Sequence, residues 1–331
     1  MLRNLPLVAL AFLISTPAIA QDGGVYQEEG GIVVVEIEST PPGPGWAEET
    51  ISTGFTFESY YRWNGGNNFN SPGSGVTGYR VNLSQGTKWF LSLHNRHDDP
   101  DDTEENDVWV RADGGTWFKC FSNSAGGGHP GAWNWDSRFD VGNQPPASWN
   151  LSAGEHLIEF SGRSHNFKMD RFHIHIQGHP DSNDESLPES TALLGESYCG
   201  PAVTNSTGNP GVCDAWGSTF VVLNDVTLTG SDLPTNEFSF FVVSETQAFV
   251  QGPGGSQGNL CLGGNIGRYA NDIMNTGSSG SVSLTIDLDS IPTTPSSSVQ
   301  PGDTWSFQLW HRDKNPGNTS NFTDGRAIQF Q

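Results

Sequence analysis

Glu104–Cys120 reads E-E-N-D-V-W-V-R-A-D-G-G-T-W-F-K-C. Val108, Val110 and Ala112 alternate with Trp109, Arg111 and Asp113, the period of two of a strand with one buried face. Gly114-Gly115 supplies the positive φ of a tight turn, and Thr116–Lys119 resumes the strand. The stretch is a β-hairpin. Trp109 and Trp117 lie inside its strands and are expected to pack in a core, because large aromatics dominate β cores.

The rest of the chain has the same texture. Its 331 residues leave room for about two domains. The 41 Gly and 20 Pro argue against long helices. Residues 1–20 read as a secretory signal: Arg3, an apolar run from Leu5 to Ile14, then the small-x-small pattern Ala18-Ile19-Ala20. No later stretch approaches the roughly 20 apolar residues of a membrane-spanning helix. A net charge of −22, with only 15 Lys+Arg, argues against nucleic acid as a partner. Four cysteines, all after the signal, can pair in an oxidising compartment in any of three ways.

Taken in order, residues 21–31 read as a mobile lead-in and Ile32–Ile37 as a strong strand. Glu36 and Glu38 are two apart, so they share a strand face, where they either hold a cation together or are solvated. Trp63 stands at a strand end, before the Asn64–Asn68 turn residues. The acidic stretch from Asp98 to Glu105 lacks EF-hand spacing and reads as a solvated loop. Residues 122–146 form a long glycine-rich loop carrying Trp133 and Trp135, where a core role explains the rings less well. Phe167–Ile176 is a last strand, with His173 and His175 expected to face solvent. Residues 179–196 read as an acidic linker. From Ser197 onward, short strand patterns separated by turn residues read as a second β-sandwich, over 197–331. Phe220–Leu223 is the first of those strands.

The first domain, 21–178, resembles the carbohydrate-binding β-sandwich modules of families six and thirty-five, with malectin as a relative. The matching pieces are V-E-I-E-S at Val35–Ser39, Y-Y-R-W-N-G at Tyr60–Gly65 and N-D-V-W-V-R-A-D-G-G-T-W-F-K at Asn106–Lys119. L-S-A-G-E-H-L-I-E-F-S-G-R-S at Leu151–Ser164 and F-K-M-D-R-F-H-I from Phe167 complete the set. The resemblance implies a jelly-roll-like sandwich. It also implies a structural calcium held by Glu36, Glu38 and Asp170, although in malectin-like relatives the last-strand aspartate lies near the sugar. It places the sugar on loop aromatics and polar groups, here Tyr61, Trp63, Arg96 and Asn106. Trp133 and Trp135 are added from loop chemistry. The second domain is similar to a β module that recurs near the C-termini of secreted bacterial proteins, on Y-C-G-P-A-V-T-N-S-T-G from Tyr198, P-G-G-S-Q-G-N-L-C-L-G-G from Pro253 and W-H-R-D-K-N-P-G-N-T-S-N-F-T-D-G from Trp310. Its recurring cysteines match Cys199 and Cys261, which the resemblance pairs as a disulfide. Cys120 is expected as a free thiol, buried or half-buried.

The expected protein is all-β: two sandwiches joined by a short linker, secreted or at a bacterial cell surface, and binding a polysaccharide or other glycan without catalysis. The sequence has no His-Glu-x-x-His helix. A surface structural or adhesive role is the alternative, and a polysaccharide hydrolase the less favoured one.

Overall fold

The computed structural model describes residues 24–101, 103–121 and 130–331. Residues 1–20, read above as a secretory signal, and the glycines at 126–128 lie outside the described residues. The fold is all-β and built of sandwiches. No helix among the described residues is long and apolar enough to cross a membrane.

In the first sandwich, one sheet runs Thr77–Leu83, Gly154–Ser161, Asp107–Ala112, Phe118–Phe121 and Arg138–Phe139. The facing sheet runs Ser148–Leu151, Thr87–Arg96, Lys168–Ile176, Tyr60–Trp63 and Trp46–Glu49, with Ile32–Glu36 also paired to Lys168–Ile176. Between them lies a core that includes Val33, Val35, Tyr79, Val81, Leu93, Val110, Phe160 and Phe172. Each is the inward member of an alternating pair, as a two-sided strand requires.

The central hairpin is present, but its turn is shifted. Asp113 and Gly114, not Gly114-Gly115, hold the paired positive φ values of 51° and 64°. The Gly115 N–H closes the turn on the Ala112 carbonyl at 2.9 Å. Aspartate tolerates this conformation when its side chain is engaged. Asp113 is tied to the Leu157 N–H at 2.9 Å and to His156 Nδ1 at 2.7 Å. Trp117 therefore falls in the loop rather than in a strand. It is half-buried under the Arg111 guanidinium, 4.3 Å from the ring centroid, and not in the core. Trp109 is also half-buried on the outer face, donating from Nε1 to the Asn68 carbonyl at 2.9 Å.

The second sandwich encloses a separate core that includes Phe241, Val243, Trp305, Phe307 and Leu309. Phe220–Leu223 is not a strand: Val221–Leu223 is a 3-10 turn. The expected pairing of Cys199 with Cys261 is present, with Cα atoms 6.3 Å apart. Cys120 and Cys213 are buried free thiols. Burial pushes the Cys120 thiol up to about 12, with Asp107 adding to the shift, so it is no nucleophile at neutral pH.

The two sandwiches are not beads on a linker. Val25–Gln27, read from sequence as part of a mobile lead-in, is a strand. It pairs parallel to Thr77–Leu83 and antiparallel to Ala192–Leu193. Leu193 pairs in turn with Trp216 of Val212–Gly217. One ten-stranded sheet thus passes through both sandwiches. Most of the expected linker is also engaged. Ser190 bonds Val34 through backbone and hydroxyl, and the Glu189 carboxylate takes the Glu36 N–H at 2.8 Å and the Ser39 hydroxyl at 2.8 Å. The stretch straps the outer edge of Ile32–Glu36. Extended backbone of any composition can fill free ladder positions, so hydrophobic periodicity does not reveal it.

Candidate functional site

The three carboxylates singled out as a metal set do converge. Glu36, Glu38 and Asp170 each offer an oxygen within 4.8 Å of the other two. The route differs from the expected strand alternation. The strand stops at Glu36, and Ile37–Ser39 turns as a 3-10 helix that folds Glu38 back beside it. Asp170 is the extra residue of a β-bulge between Met169, opposite Asn95, and Arg171, opposite His94. The bulge lets Met169 and Phe172, three apart, both enter the core while Asp170 faces outward.

Residues 54–59 close over the cluster. The Thr56 N–H donates to Asp170 Oδ2 at 2.9 Å, and its hydroxyl lies 2.9 Å from both Glu36 Oε2 and Asp170 Oδ2. The Glu58 and Ser59 N–H groups both donate to Glu38 Oε1 at 2.9 Å. Arg171 donates to Glu36 Oε1, and His94 Nδ1 lies 2.6 Å from Asp170 Oδ2. Two buried oxygens, Glu38 Oε2 and Asp170 Oδ1, have no hydrogen-bonding partner. Burial pushes the Glu38 carboxyl up to about 8, and burial likewise raises Glu36. A hard cation would meet only oxygen donors here, including the two orphans, and would offset that desolvation. The residues therefore fit calcium.

Phe57 shows what the cluster does to its loop. Its neighbours on both sides have their N–H groups drawn onto the carboxylates, and Phe57 is left with φ of 52° and a ring 70% exposed. A bulky residue at positive φ is uncommon and needs such an external tie.

The expected sugar residues are scattered. Tyr61 is 1% exposed and Trp63 3%, and both belong to the core. Trp63 is no loop platform, because its strand end turns inward. The ring is caged by Gly45, Gly65, Gly75 and Gly162, and its Nε1 donates to the Gly66 carbonyl at 2.9 Å. Asn106 is also buried. Arg96 is half-buried and tied to Asp98 at 2.7 Å.

Trp133 and Trp135 flank Asn134, whose backbone pairs with Asn95 at 2.9 Å in both directions. Both rings lean on His94, at 4.7 Å for Trp135 and 5.2 Å for Trp133. Trp135 also packs on His173 at 4.6 Å, and Trp133 on Tyr60 at 5.2 Å. They are half-buried, with much of each ring used in packing. His173 and His175, expected to face solvent, are buried. The strap covers this face: His173 Nδ1 bonds the Ser182 carbonyl at 2.9 Å. Burial drives His173 down to about 3.

A cavity of about 530 Å³ lies beside Tyr60, Arg62, Asn166 and Lys168. Its cations are already neutralised, Arg62 by Glu49 at 2.8 Å and Lys168 by Asp98 at 2.7 Å. A second cavity, of about 420 Å³, opens between the two sandwiches beside Glu38 and Phe57.

Neither a protein-family model nor a curated protein matches the chain. Among solved structures it is similar to a GH26-CBM35 β-(1,4)-mannanase of Podospora anserina, at 17% identity and a TM-score of 0.32, covering 46% of this chain and 29% of that one. It is also similar to β-glucuronidase 2 of Bacteroides uniformis, bound covalently to cyclophellitol-6-carboxylate aziridine. There the identity is 10% and the TM-score 0.19, over 90% of this chain and 32% of that one. The chain spans less than a third of either. At these scores neither likeness carries an argument.

Proposed function

We propose that the chain is a secreted, non-catalytic carbohydrate-binding protein whose first sandwich holds a structural calcium. The observation that carries this reading is the convergence of Glu36, Glu38 and Asp170 within 4.8 Å. These are the positions that match the calcium ligands of the carbohydrate-binding modules the sequence resembles. Calcium there supplies charge compensation for buried carboxylates, and so fixes residues 54–59 over the sheet edge.

The same spacing argues against hydrolysis. Glycosidases set two carboxyl groups on opposite sides of a bond, about 5–10 Å apart with the substrate between them. Here the carboxylate oxygens converge on one point under a closed loop. The test is a glycan array on the full chain, with an assay of reducing-sugar release on every glycan retained. Retention without release supports the reading. Release shows an enzyme, and an array without any retained glycan removes the carbohydrate function.

A further inference from the structure

The cavity between the sandwiches belongs to neither module alone. Phe57 and Glu58 come from the loop over the carboxylate cluster, Leu223 and Asp225 from the second sandwich, and residues 189–192 lie along it. Its volume, about 420 Å³, suits one or two sugar rings. Phe57 is 70% exposed and Leu223 47%, two apolar side chains at one opening, in a cleft that Tyr26 and Ala192 also line. No Lys, Arg or His lines it, whereas four carboxylates do, Glu38, Glu58, Glu189 and Asp225. Hydroxyls of Ser39, Ser190 and Thr191 lie among them.

That chemistry selects a ligand. An exposed ring takes the apolar face of a pyranose, and carboxylates and hydroxyls take its hydroxyl groups. Glu58 and Asp225, both exposed and with no basic group lining the cleft, disfavour an anion, within a chain of net charge −22. We infer that the cleft between the two sandwiches is a binding site for an uncharged saccharide, with Phe57 as its stacking residue and the second sandwich as its other wall. The inference takes its ligand class from the carbohydrate-binding reading above, and adds where the sugar sits and which sugars are refused.

The site also joins two features that otherwise stand apart. The sheet continuous through Val25–Gln27 and Ala192–Leu193 fixes the sandwiches against each other, so the cleft has set walls. The carboxylate cluster holds the N–H groups of Thr56, Glu58 and Ser59, and with them the outward pose of Phe57.

The experiment uses the full chain and titration calorimetry with hexamers of cellulose, mannan, xylan and chitin, beside an oligogalacturonate of the same length. Phe57→Gly removes the ring and suits the positive φ, and Asp225→Ala changes an exposed residue of the second sandwich. The expected result is that at least one uncharged hexamer binds and the oligogalacturonate does not. Each substitution then weakens binding tenfold or more with an unchanged melting temperature. Undiminished binding in both variants overturns the cleft and leaves carbohydrate binding standing. A loss seen only in Trp133→Ala does the same. Oligogalacturonate binding as tight as that of the uncharged hexamers overturns the charge argument. A parent chain that binds none of the five refutes the carbohydrate reading itself, and the cleft assignment with it.

Discussion

Replacing Trp63 by alanine should unfold the first sandwich under conditions the parent chain tolerates. The indole is 3% exposed and meets Trp46 edge-on at 5.2 Å. A buried indole removes on the order of 200 Å² from water, which at about 25 cal/mol per Å² is roughly 5 kcal/mol. Its walls cannot collapse into the space. A Cβ built on Gly65, Gly75 or Gly162 would sit 2.1, 2.4 or 2.2 Å from the ring, so glycine backbone forms the cage and holds no side chain to swing in. Large-to-small substitutions at such sites cost about 3–5 kcal/mol, and the lost hydrogen bond from Nε1 to the Gly66 carbonyl adds about 1 kcal/mol. The expected loss is roughly 5 kcal/mol, a large part of a small domain's stability. The assay is urea unfolding of the full chain followed by circular dichroism, with three companions. Gly162→Ala should cost about 2 kcal/mol or more, since its Cβ strikes the ring. The double variant should cost clearly less than the sum, because the ring that the added methyl group strikes is gone. Gly66→Ala meets nothing within 4 Å and should be near neutral. A Trp63→Ala chain that loses less than about 2 kcal/mol, or a double variant that is strictly additive, refutes the cage.

Three further outcomes follow from other parts of the molecule. EDTA should lower the melting temperature of the full chain and calcium restore it, because binding to the folded state alone stabilises it; an unchanged melt with no copurifying metal rules the site out. Replacing Cys199 and Cys261 by alanine should cost about 4 kcal/mol on the loop-entropy account, from a sequence separation of 62, and a loss under about 1 kcal/mol in differential scanning calorimetry would contradict it. His173 is held neutral, its pKa driven from 6.5 to about 3 by burial, while the unfolded chain protonates it near 6.5. Stability is therefore full above pH 6.5 and falls below it. The loss is roughly 2–3 kcal/mol by about pH 4.5, and the trend ends near pH 3. Urea midpoints of His173→Gln should depend less on pH over that range, and an unchanged dependence would place the acid sensitivity elsewhere.

Strand content, two β-sandwich cores and the hairpin at Asp107–Phe121 were legible in the sequence. Period-two alternation with glycine and aspartate turns reports directly on which side of a pleated strand is buried. The Cys199–Cys261 pair was legible only through the resemblance of the second domain, because spacing alone leaves three connectivities. The convergence of Glu36, Glu38 and Asp170 was legible through the same kind of resemblance. The bulge at Asp170 and the turn at Ile37–Ser39, which bring its oxygens together, carry no pattern of their own. Trp63 shows the limit of position in sequence. A tryptophan before a Gly/Asn loop looks exposed, yet those glycines are there because a ring lies on their backbone. The strap at 179–190, the buried histidines beneath it and the sheet through Val25–Gln27 depend on backbone hydrogen bonds between segments far apart in the chain, which any residue but proline can make. Phe57 is the sharpest case. Nothing local distinguishes it from Phe55. Only the folded arrangement, with the Asp170 and Glu38 carboxylates gathering the N–H groups around it, turns its ring outward into the cleft.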